Sequence, residues 1–236
     1  MTANRAGART TISVLAGLTA VLLVSALVAA FIIAPPEMEM GDVQRIFYFH
    51  VSAAWTAFLA FFVVLVASIL YLRTRLIKWD ILATSAAEIG VVFTTVTLLS
   101  GSVWARSAWG TWWTWEPRLT TATIVELVYA AYLMLRQGIE DPDRRARFGA
   151  VYTILGFISV PVTFLSIRLY RTIHPTVFGV SSPEAEGEFS MTPSMLQTLI
   201  FSVLTFSVIF SSLLWHRIRL GRLAEKVEQL RLKIAH

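Results

Sequence analysis

The sequence predicts an all-α integral membrane protein, a bundle of six transmembrane helices with both termini on the cytoplasmic side. Three observations carry this. Hydrophobic residues make up 56% of the 236 positions. Charged residues make up only 15%, against roughly 25% in an average soluble domain. The apolar residues also gather into runs near the roughly 20 residues that a bilayer-spanning helix needs.

The first run, 11–34, opens after Arg5 and Arg9 and stops before Pro35-Pro36, which cannot continue a helix. It exceeds the roughly 7–15-residue apolar core of a cleavable signal peptide, so it reads as an uncleaved span. The second and third, 48–72 and 81–103, are parted by the basic turn 73–80. The fourth, 119–135, is short and carries Thr120, Thr121, Thr123 and Glu126. The fifth, 149–167, contains Pro161, which predicts a kink near one end. The sixth, 195–215, leads into a tail whose Leu220, Leu223, Val227, Leu230 and Ile234 recur at alternating steps of three and four. That is an amphipathic helical stripe, suited to membrane lipid, to a partner helix, or to a solvated continuation of the sixth span. Residues 1–216 thus form the membrane domain, with an external tryptophan-rich loop at 104–120. Residues 217–236 form a cytoplasmic amphipathic helix.

The distribution of basic residues orients the bundle. Fifteen of the 20 Lys and Arg lie at the N-terminus, in the 73–80 and 136–148 connections and in the tail; five lie in the connections on the other side. Basic loops stay cytoplasmic, so the connections 35–47, 104–118 and 168–194 face outward. The formal charge of +5 therefore sets topology and does not point to nucleic acid. The sequence contains no cysteine, which excludes disulfides, thiolate metal sites, iron–sulfur clusters and haem attached through Cys-x-x-Cys-His. No Walker-type phosphate loop occurs, so ATP hydrolysis, if it drives this protein, comes from another subunit.

The outer side holds the unusual chemistry. Five of the eight Trp residues, Trp104, Trp109, Trp112, Trp113 and Trp115, crowd one connection, followed by Glu116. An aromatic belt would spread its indoles over several helix ends. This cluster, broken by Gly110 and Pro117, reads as a platform for a large, flat, apolar ligand with polar edges. Arg106 and Arg118 are placed to meet carboxylates on such a ligand. His50, at the outer start of span two, and His174, after span five, lie on the same side; His216 and His236 lie on the other. Two neutral imidazoles in separate outer segments can ligate one haem iron from opposite faces. Glu88 and Glu126 interrupt apolar runs, marking either a proton or substrate path or interhelical hydrogen bonds. The acidic stretch 181–190, with Glu37, Glu39 and Asp42, predicts a partly acidic outer surface.

The run Trp109-Gly-Thr-Trp112-Trp113-Thr-Trp115-Glu116-Pro-Arg118-Leu119-Thr120 resembles the WWD signature of haem-handling proteins in cytochrome c maturation. Gln44-Arg45-Ile46-Phe47-Tyr48-Phe49-His50-Val51-Ser52-Ala53-Ala54-Trp55 resembles the second-span opening of the CcmC-type branch, haem exporter protein C. The resemblance covers nearly the whole chain and departs at Glu116, where the family commonly has Asp. It implies non-covalent haem b on the periplasmic face of a bacterial inner membrane, with His50 and His174 as axial ligands and the Trp loop against the macrocycle. It also implies a haem-transfer subunit without catalysis of its own. The implied partners are the ATPase and membrane subunits of an ABC transporter, a small single-span membrane subunit and a periplasmic haem chaperone. A transporter moving haem or another substrate through its own bundle is the competing expectation.

Overall fold

The computed structural model describes residues 2–38, 40–170, 174 and 191–235. The acidic stretch 181–190 and Glu39 lie outside the described residues. Seven α-helices follow in order: α1 Thr2–Val28, α2 Ile46–Thr74, α3 Ile77–Trp109, α4 Pro117–Gln137, α5 Pro142–Gly156, α6 Ser159–Leu169 and α7 Pro193–Ala235. The described residues contain no β-strand beyond one isolated bridge between Glu37 and Gly41. Among the described residues, six segments are long and apolar enough to cross a membrane: Ile12–Ile33, Asp42–Thr74, Ile77–Trp109, Pro117–Gln137, Pro142–Leu169 and Pro193–Arg231. The six expected spans each have their helix, with α5 and α6 together forming the fifth.

The ends of these helices follow from local chemistry. α1 closes in a π-helical turn, Ala29–Ile33, just before Pro35-Pro36. Arg45 reaches back and donates to the carbonyls of Ala30 and Ala34 at 2.5 and 3.1 Å, acceptors that the helix end leaves open, while its Nε donates to Asp42. α3 runs beyond its apolar stretch to Trp109 because nothing breaks it before Gly110, which turns with φ of 74°. Trp104 and Trp109 therefore stand on the last turns of α3, and the irregular part of the expected 104–120 loop shrinks to 110–116. Glu116 caps α4 by accepting from the Leu119 amide, and Pro117 occupies the first turn, where its missing N–H costs nothing. The break in span five falls at Phe157–Ile158, near mid-span, one turn before Pro161. Pro161 has no N–H for the Phe157 carbonyl, and the Val160 amide bonds it instead at 3.0 Å.

Small residues let α2 and α3 approach closely. Ala53, Ala57, Ala60 and Ala67 on α2 and Ala83, Ala86 and Ala87 on α3 are all buried in one cluster. Gly90 leaves room for the Phe61 ring, which stacks on Tyr129 of α4 with centroids 3.7 Å apart. Hydroxyls tie further helices together, as between Ser68 and Thr153 at 2.8 Å. α1 stands at the edge of the bundle and packs mainly on α7.

A cavity between two histidines

One end of the bundle holds a cavity of about 660 Å³. The N-termini of α2, α4 and α7 and the C-termini of α3 and α6 enclose it, the end away from both chain termini. Its walls are mainly apolar, and among the described lining residues only Arg118 and Arg168 carry formal charge. Its size falls within the roughly 300–1,000 Å³ of ordinary small-molecule sites.

Each histidine reaches this cavity from a different element. His50 stands in the second turn of α2, where the run Ile46–His50 commits the backbone to helix at the outer end of the span. His174 lies just beyond α6. The two rings meet with centroids 6.2 Å apart and planes inclined by 35°. Trp109 packs edge-on to His174 at 6.5 Å and to Trp104 at 4.8 Å. Trp113 also lines the cavity, and Trp115 packs edge-on against it at 5.5 Å. His50, His174, Trp104, Trp109, Trp113 and Arg118 are thus brought together from five separate segments of chain.

The remaining sequence candidates stand elsewhere. Trp112 and Trp115 do not line the cavity and are 56% and 76% exposed. Arg106 donates to the Gly110 carbonyl and so clamps the end of α3. Glu116 serves as the cap of α4, and its charge acts on Arg118 two residues on. The loop between them is tied down internally: Ser102 Oγ donates to the Trp112 carbonyl at 2.7 Å, and Thr111 Oγ1 to that of Trp113 at 3.1 Å.

Glu88 and Glu126 take no part in the cavity wall. Arg217 of α7 donates to both carboxylate oxygens of Glu88. Glu126 accepts from Thr95 Oγ1 at 2.8 Å, joining α4 to α3. Of the two readings open for these acids, their partners are those of interhelical bonding.

Sequence reasoning missed three residues here. Arg168 lines the cavity, as Arg118 does; its signal was its place six residues before His174. Ser100 and Gly101, one helix away from His50, contact its ring. A Ser-Gly pair inside an apolar run was their one signal, and it does not say which helix they face.

This architecture defines a class: a polytopic helical membrane protein with an aromatic ligand cavity and two imidazoles at one end of the bundle. The sequence model of the family described as "Heme exporter protein C" matches residues 3–233, so the chain belongs to that family. It is similar to the "Heme exporter protein C" of Bradyrhizobium diazoefficiens, 33% identical over 92% of this chain and 81% of the relative. The protein of that name from Rhodobacter capsulatus is 32% identical over 90% and 86%. That of Escherichia coli K12 is 27% identical over 79% and 73%.

Proposed function

We propose that this chain binds haem at the periplasmic face of the bacterial inner membrane and delivers it for c-type cytochrome biogenesis. The observation that carries the reading is the pair of imidazoles, 6.2 Å between centroids, inside one aromatic cavity. Two imidazoles sharing one iron stand about 6 Å apart between centroids, given metal–nitrogen bonds of roughly 2.0–2.1 Å and about 1.1 Å from nitrogen to ring centre. The donor set therefore fits haem iron with two axial nitrogens.

The other residues divide the work. Trp104, Trp109 and Trp113 offer flat apolar surface to a macrocycle, and Arg118 and Arg168 offer guanidinium groups to its propionates. Trp112 and Trp115, exposed beside the cavity, cover the part of the ring that projects from it and meet the acceptor. The acceptor is a periplasmic haem chaperone, which takes the ring once both imidazoles release the iron. ATPase and membrane subunits of an ABC transporter and a small single-span subunit complete the assembly, since no nucleotide-binding loop exists in this chain. The internal partners of Glu88 and Glu126 favour presentation of haem over passage through this bundle.

Visible absorption of the purified protein tests the assignment. His50→Gly and His174→Gly are each expected to lose the low-spin bands of bound haem, and added imidazole restores them in part. Unchanged bands in both variants would remove the axial ligands. Haem crossing vesicle membranes with this chain alone would replace presentation by transport.

A further inference from the structure

α3 grips the His50 ring in a specific way. His50 Nδ1 lies 3.1 Å from Ser100 Oγ. The Ser100 hydroxyl is also 2.7 Å from the Val96 carbonyl and 3.2 Å from that of Thr97. A serine hydroxyl has one hydrogen to donate and two lone pairs. Donated to a helix carbonyl, that hydrogen is spent, and the oxygen meets Nδ1 as an acceptor. That acceptor calls for a proton on Nδ1, the nitrogen that faces α3. Gly101 supplies the space: a Cβ at that position would stand 2.8 Å from His50 Cε1 and 3.3 Å from Nδ1.

The geometry points to Ser100 as a positioning residue that holds His50 in its Nδ1–H tautomer, leaving the Nε2 lone pair for iron, with Gly101 clearing the place of the ring. The inference rests on the reading of His50 as a haem ligand. Its chemistry is general: a ligating imidazole donates its other N–H to an acceptor, which fixes the tautomer, orients the ring and makes it a stronger electron donor. Here the acceptor comes from a neighbouring helix, so the ligand is set by the packing of α2 on α3 and not by α2 alone. It also accounts for a Ser-Gly pair that helix propensity does not favour in mid-helix.

Full-length protein in nanodiscs, loaded with haem, tests it. Ser100→Ala removes one oxygen and is expected to weaken haem retention by about 10–100-fold. It should also raise the reduction potential, because an imidazole without its acceptor stabilises ferric iron less. Ser100→Thr keeps the hydroxyl and should restore both. Gly101→Ala, with its Cβ driven against the ring, should convert low-spin haem to high-spin while the helical circular dichroism stays unchanged. If Ser100→Ala leaves retention and potential unchanged while His50→Gly alters the spectrum, the positioning role falls and the ligand stands. If His50→Gly leaves the spectrum unchanged, both fall.

Discussion

Asp80 and Arg136 are the most heavily buried charges on the side of the bundle away from the cavity. Their bidentate pair, at 2.6 and 2.7 Å, joins α3 to α4, and the side chains are only 10% and 12% exposed. Arg136 also lies over the Tyr132 ring at 5.5 Å. Removing one member of such a pair strands the other, at a cost of about 3–5 kcal/mol. Asp80→Ala should therefore lower the unfolding midpoint of the detergent-solubilised protein sharply, and adding Arg136→Ala should recover part of the loss. Glu88→Gln should cost far less, because the amide keeps the shape of the side chain and an oxygen that still accepts from Arg217. Equal losses in Asp80→Ala and Glu88→Gln would contradict this ranking. Glu88 stands out in the sequence because it interrupts an apolar run, whereas Asp80 and Arg136 sit at run ends. Residue type and position in a run are visible in one dimension; which charge meets which is decided by the faces that two helices turn toward each other.

The same limit appears at the level of elements. Each span was legible because the apolar run is a property of the segment by itself, and the Trp-rich connection was legible because its composition is extreme. The end of α3 was not, since hydrophobicity stops near residue 103 while the helix continues to the first residue that prefers positive φ, Gly110. The break in span five was anticipated from Pro161 and displaced by one turn, because a proline disturbs the carbonyl four residues before it. Glu116 changes meaning in the same way: beside a tryptophan cluster it suggests ligand contact, and in the folded chain its side chain starts α4. Glu116→Ala should cost about 1 kcal/mol of stability, as for other lost N-caps, whereas Glu116→Asp, a shorter cap of the same charge, should keep it. Thermal midpoints of the two variants check this. Loss of bound haem in both, with unchanged midpoints, would give the carboxylate to the ligand instead.

For the whole molecule, the alternation of helices fixes which connections share a side. The segments 34–45 and 110–116, the C-terminus of α6 and the N-terminus of α7 all lie at the cavity end. The opposite end carries Arg73, Arg75, Lys78 and the basic run 144–147. α7 extends this asymmetry. Its 43 residues reach about 64 Å at 1.5 Å per residue, about twice the roughly 30 Å hydrocarbon thickness. Its last turns therefore project from the membrane with Leu220, Leu223, Val227 and Leu230 all exposed, and residues 217–235 continue span six without a break. If basic connections remain cytoplasmic, the cavity opens to the periplasm and the projecting helix to the cytoplasm. Because the chain has no cysteine, single introduced cysteines report sidedness without background. Met38, fully exposed beside the cavity end, and Ala224, exposed on the tail, are suitable positions. With a membrane-impermeant maleimide on cells whose outer membrane alone is permeabilised, Met38→Cys should label and Ala224→Cys should label only after the inner membrane is opened. The reverse pattern would turn the bundle over and leave both imidazoles facing the cytoplasm, out of reach of any periplasmic acceptor.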